Sequence, residues 1–122
     1  MNPEYKNKWM HLLRSGKYDQ IRGQLYEGKN KYSAVGVLCR VYLNINFRGC
    51  FDVDGSFTDA QDNTRRAGAP QDVLIKAQLV KEGPGIQLDT NPALTVVALN
   101  DGLKGYEPHS FEAIAEYVDE FL

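Results

Sequence analysis

Cysteine is scarce in this chain: Cys39 and Cys50 are the only two among 122 residues. They show no CxxC or other metal-ligand spacing, so neither a metal site nor a disulfide framework is indicated. Free thiols in a reducing compartment are expected. The two histidines, His11 and His109, lie far apart, and neither stands at ligand spacing from another His or Cys. Apolar runs are short, and none approaches the roughly 18 residues that span a bilayer. The opening Met1-Asn2-Pro3-Glu4-Tyr5 has no apolar core of a secretory signal and no small-residue cleavage site. No internal repeat, low-complexity tract, P-loop or catalytic triad can be assembled.

What is present belongs to an ordinary globular chain. Hydrophobic residues make up 43% and charged residues 25%, and seven Tyr, five Phe and one Trp supply bulk for a core. Such a chain is expected to form one domain over residues 1–122 rather than remain disordered. The net charge is only −2, but it is unevenly spread. Residues 1–50 hold nine Lys+Arg against three Asp+Glu, whereas residues 51–122 hold five against thirteen. Two readings follow: an anionic partner for the basic half, or two halves that face each other. The sequence pI of about 5.6 disfavours general nucleic-acid binding.

Asn2-Pro3 reads as an N-cap followed by proline at the first helical position. Tyr5, Trp9, Leu12 and Leu13 follow at helical spacing until Ser15-Gly16, which predicts a helix over about 3–14. The cluster Glu27-Gly28-Lys29-Asn30 predicts a turn, and a short hairpin with strands near 20–26 and 31–34 fits around it. Residues 34–43 are almost wholly apolar; their length favours a buried helix. Residues 44–69, rich in Asn, Asp, Gly and Thr, read as a long polar loop. Pro70 opens a short helix through Leu79, and Lys81-Glu82-Gly83-Pro84-Gly85 breaks the chain. Asn91-Pro92 caps a helix over Ala93–Leu99 that stops at Asn100-Asp101-Gly102. Ser110 caps a last helix whose Phe111, Ile114, Tyr117, Val118 and Phe121 share one face. Glu112, Glu116, Asp119 and Glu120 lie off that face. The expected architecture is α+β: mostly helical, with a small β-hairpin.

Several separated motifs occur together: Trp9-x-x-Leu12-x-Arg14-Ser15-Gly16-Lys17-Tyr18-x-Gln20, Gly23-x-Leu25, Tyr32-x-x-x-Gly36-Val37-Leu38-Cys39, Asn91-Pro92, Leu99-Asn100-Asp101 and Ser110-Phe111-x-x-Ile114-Ala115. In this the chain resembles an uncharacterised family of small proteins encoded by bacteriophages and bacteria. The middle loop lies outside the resemblance, and Ser33-Ala34 stands where many relatives carry a cysteine pair. The resemblance implies a phage-type accessory protein acting in the cytoplasm of a bacterial host, and it brings no activity with it.

Phe51-Asp52-Val53-Asp54-Gly55-Ser56 looks like the nucleophile motif of haloacid-dehalogenase-type phosphatases, in which one carboxylate attacks phosphorus and the next serves as acid and base. That chemistry needs a parallel sheet and later Lys and acidic motifs that this chain lacks, so a polar turn is the expectation. Asp52, Asp54 and Asp59 also lack the Gly and Glu positions of an EF-hand calcium loop. The strongest binding patch is Arg14, Ser15, Gly16, Lys17, Tyr18, Gln20 and Arg22. Arg offers phosphate a bidentate fork, Lys a point charge and Tyr a stacking face. Arg14, Lys17, Tyr18, Gln20 and Arg22 are therefore the predicted ligand residues, without metal or cofactor. The expected protein is a non-catalytic binder of a small anionic, nucleotide-like ligand, such as a cyclic or ADP-ribose-type nucleotide. It would act as a sponge for a bacterial immune signal and is open to homo-oligomerisation. The alternative is a protein–protein inhibitor of a host defence complex that uses the acidic last helix; a phosphatase built on Asp52 and Asp54 ranks below both.

Overall fold

The first helix, α1 (Pro3–Arg14), begins where Asn2 Oδ1 accepts the Glu4 and Tyr5 amides at 2.9 and 3.2 Å. Its spacing of four buries Tyr5, Trp9 and Leu13 on one stripe. Trp9, fully buried, donates its indole N–H to the Ala34 carbonyl at 2.9 Å and so fastens α1 to the start of the next helix. These observations come from a computed structural model, which describes residues 1–85, 88 and 90–122.

The apolar run forms α2 (Ala34–Asn46), capped by Ser33 Oγ on the Gly36 amide at 3.0 Å. It is buried nearly all round, and at Gly36 it lies against the Leu25 backbone so closely that any side chain would overlap that carbonyl. Before α2, β1 (Asp19–Gln20) and β2 (Lys31–Tyr32) pair in parallel, with Asp19 opposite Lys31 and Gln20 opposite Tyr32. On its other side Tyr32 makes one antiparallel bridge to Tyr26. The expected hairpin near 20–26 and 31–34 is thus corrected. Its turn is present, but its first arm shrinks to a single bridging residue. Leu25, fully buried, still accepts the Ser33 amide at 3.1 Å, but its own amide donates to the Arg66 carbonyl at 2.7 Å, so the pairing goes no further back along this arm.

Residues expected to be a long loop over 44–69 contain the end of α2 and a three-stranded antiparallel meander. Its strands are β3 (Cys50–Phe51), β4 (Phe57–Thr58) and β5 (Thr64–Arg65). Two-residue strands are too short for alternation to show in a sequence. Then come α3 (Gln71–Lys76), α4 (Pro92–Asp101) and α5 (Phe111–Phe121). Asn91 and Ser110 cap the last two through their side chains, as the sequence predicts. α3 ends three residues short of Leu79, because Gln78 takes a left-handed conformation and the Leu79 amide turns back to the Leu74 carbonyl.

α5 packs along α1, and α4 closes against α2, so the buried side chains make one core with α2 at its centre. The fold is α+β, as expected, and among the described residues it has five helices and, in place of the single hairpin, two small sheets. Among the described residues no helix is long and apolar enough to cross a membrane.

Candidate anion-binding site

The turn Gly28–Lys31 closes through the Lys31 amide on the Gly28 carbonyl at 3.2 Å, and the Glu27 amide reaches the Lys31 carbonyl at 3.1 Å. Gly28 sits at φ +97° and Asn30 at φ +61°, conformations that glycine and asparagine tolerate best. This geometry holds Lys29 at the tip. The Asp19 amide donates to the Asn30 carbonyl at 2.8 Å and draws the end of α1 and the Ser15–Tyr18 turn alongside. Ser15 Oγ accepts the Lys17 amide at 3.1 Å, fixing the start of Lys17.

Between these turns and α2 lies a cleft of about 270 Å³ lined by Lys17, Tyr18, Tyr26, Lys29, Asn30, Tyr32 and Arg40. Three phenol rings build its wall. Tyr18 and Tyr32 meet edge to face at 4.8 Å between centroids, and Tyr26 leans on Tyr32 at 5.4 Å. Phe51 backs Tyr26 and Tyr32 at 4.9 and 5.2 Å, tying the cleft to the meander. Lys17 Nζ lies 5.6 Å from the Tyr18 ring centre, within cation–π range. Burial pushes the Tyr32 phenol above its usual range, and the Arg40 guanidinium beside it partly offsets this. Tyr32 is therefore a neutral hydrogen-bond donor at physiological pH.

Among the described residues no Asp or Glu lines the cleft. Among the described residues the ion pairs are Lys8 with Glu4 and Arg14 with Glu112, so Lys17, Lys29 and Arg40 all stand without a carboxylate partner. Three uncompensated cations around one concavity raise the local concentration of anions.

The predicted ligand residues separate in the fold. Lys17 and Tyr18 line the cleft. Arg14 turns to α5, where its Nε lies 3.3 Å from Glu112 Oε1. Gln20 is a structural tie: its Nε2 donates to Asn100 Oδ1 at 2.8 Å and to the His109 carbonyl at 2.7 Å. Asn100, almost fully buried, also accepts the Ala34 amide at 3.1 Å and donates to the Ile21 carbonyl and to Asp101 Oδ1. Arg22 is exposed and lies outside the cleft lining. Lys29, Tyr26, Asn30, Tyr32 and Arg40 escaped the sequence reading. Arg40 does leave a signal there, as the lone charge in the apolar run 34–43.

The other candidates resolve into structure. Asp52 and Asp54 shape the β3–β4 turn: Asp52 Oδ1 accepts the Val53 amide, and Asp54 Oδ1 accepts the Ser56 amide and hydroxyl at 2.9 and 2.6 Å. The Ser56 bonds hold the Asp54 carboxyl below the usual carboxylate range, so this turn is favoured above that range and weakens as pH falls through the lowered value. No parallel sheet underlies the pair, as the phosphatase chemistry would need. Asp59 is buried, accepting the Gln61, Asn63 and Asp72 amides at 2.8, 3.0 and 2.9 Å. Beside it Tyr42 donates to Asp72 Oδ2 at 2.6 Å and accepts the Ala60 amide at 3.0 Å. Among the described residues no three His, Cys, Asp or Glu side chains group as metal ligands.

A larger groove of about 530 Å³ runs between α4 and α5, lined by Leu94, Ala98, Tyr106, Tyr117 and Phe121 among others. Among the described residues Lys104 is its one cationic side chain, so it does not share the charge of the smaller cleft.

With five helices and two small sheets among the described residues, and a cleft lined by Lys17, Lys29 and Arg40, the chain is a small α+β protein. It belongs to the family described as Domain of unknown function (DUF8296), whose model matches residues 1–122. No curated protein and no solved structure matches it.

Proposed function

We propose that the protein is a non-catalytic binder of a small anionic, nucleotide-like ligand, held in the cleft of Lys17, Lys29 and Arg40. The observation that carries this reading is three cationic side chains facing one aromatic-walled concavity with no carboxylate among its lining residues. Arg provides a planar fork for phosphate oxygens, Lys a compact charge, and the tyrosines a face and hydroxyl donors. A site that binds without transforming its ligand suits sequestration. In a bacteriophage accessory protein acting in the bacterial cytoplasm, the target would be a nucleotide signal of host immunity.

Thermal-shift measurement against cyclic nucleotides, ADP-ribose and AMP tests this. A ligand at a hundred times its Kd stabilises by about 2.7 kcal/mol, enough to raise Tm by several degrees. The double variant Lys17→Gln/Lys29→Gln should lose that rise while keeping the Tm of the free protein. If no anion raises Tm, the reading is wrong.

One observation favours a second reading, an inhibitor of a host defence complex through protein–protein contact. Phe121 is 63% exposed on α5, the helix that also carries the exposed Glu116 and Glu120. Recovery of a host protein from lysate that Phe121→Ser abolishes would support it over the first.

A further inference from the structure

The size and charge of the cleft narrow the ligand class, on the basis of the anion-binding reading above. We infer that the cleft takes the terminal phosphomonoester of a single nucleotide, in preference to the phosphodiesters of cyclic nucleotides. About 270 Å³ lies just under the range of roughly 300–1,000 Å³ typical of pockets for drug-sized ligands, a size that suits one nucleotide.

Charge points the same way. Lys17 follows α1, Lys29 crowns the turn before β2, and Arg40 stands on α2, so the three cations approach from three separate elements. A phosphomonoester presents about −1.5 to −2 charges and three terminal oxygens, enough to give each cation an oxygen of its own. A diester phosphate has one charge and two free oxygens, and would offset less of the charge of the three cations. The half-buried Tyr26 offers a ring at the cleft wall on which a base can stack. Asn30 is exposed at the rim, where its side-chain amide can reach a base edge.

The ligand's own ionisation supplies a signature. A phosphomonoester loses its second proton near pH 6, whereas a diester stays singly charged. The groups facing the site are Lys17, Tyr18, Tyr26, Lys29, Tyr32 and Arg40, with no histidine or carboxylate among them. A change in affinity between pH 5 and 7 therefore reports the phosphate.

The experiment is calorimetric titration of the full chain with 5′-AMP, adenosine, ribose 5-phosphate, 3′,5′-cyclic AMP, cyclic di-AMP and ADP-ribose. Expected is 5′-AMP binding at least about tenfold tighter than adenosine, ribose 5-phosphate or either cyclic diester. Its affinity should rise roughly tenfold from pH 5 to pH 7, following the dianion. Lys17→Gln/Lys29→Gln should weaken 5′-AMP at least tenfold with Tm unchanged, and Tyr26→Leu should bring 5′-AMP down to the affinity of ribose 5-phosphate. A cyclic diester that binds more tightly than 5′-AMP, or a 5′-AMP affinity that ignores pH, overturns this inference while anion binding stands. Failure of every anion to bind removes the underlying reading as well.

Discussion

At the scale of single residues, Asp59 accepts more backbone amides than any other acid among the described residues. Its two oxygens hold three backbone amides from two segments, the β4–β5 turn and the start of α3. Each buried donor left without an acceptor costs about 1–3 kcal/mol. Asp59→Ala should therefore lose about 3 kcal/mol in urea unfolding; a loss under about 1 kcal/mol would show that water replaces the carboxylate. The two thiols should differ as sharply. Cys39 is fully buried, and burial pushes its thiol well above the usual range, whereas Cys50 is exposed. Because the thiolate is the reactive form, a thiol reagent should label one cysteine per native chain and the second only after unfolding. Rapid labelling of both would contradict the packing around Cys39.

At the scale of elements, the basic first half and the acidic second half meet through α1 and α5. Arg14 pairs with Glu112, and Lys6 Nζ donates to the Asp119 carbonyl at 3.0 Å. Both members of the ion pair are substantially exposed, so its coupling energy in a double-mutant cycle of Arg14→Gln and Glu112→Gln should stay below about 1 kcal/mol and shrink with salt. A larger, salt-insensitive coupling would mean a desolvated pair. Helix docking instead rests on Trp9, Leu13, Ile114 and Val118, all buried.

The elements also show how much the sequence could disclose. Asn2, Asn91 and Ser110 announce their helices because a cap acts within three residues and leaves a local mark. The meander leaves none: its strands owe their pairing to cross-strand neighbours, and each is too short to alternate. The cleft divides along the same line. Lys17 and Tyr18 are readable from the turn that follows α1, but Lys29 and Arg40 join them only through the parallel pairing of β1 with β2 and the placement of α2. Gln20 and Arg14 had the right chemistry for phosphate, and distant partners, Asn100 and Glu112, occupy them.

At the scale of the molecule, one core joins the five helices of the described residues, and the polar ties cross between distant segments. The side chain of Asn100 alone links β1 through Gln20, the start of α2 through Ala34 and the chain after β1 through Ile21. Such a structure should unfold as one cooperative unit, with backbone and side-chain signals following a single transition in denaturant. Separate transitions for the helices and the aromatic cluster would show that the cleft region melts on its own.

The lone indole, sealed in the interior with its N–H fixed to the Ala34 carbonyl, has an optical consequence. Its emission should be blue-shifted in the native protein and insensitive to quenchers in the solvent, and it should move to the red when the first helix leaves the second. Ligands entering the tyrosine-walled cleft would leave that emission in place, so the chromophore monitors the integrity of the fold separately from occupancy of the site.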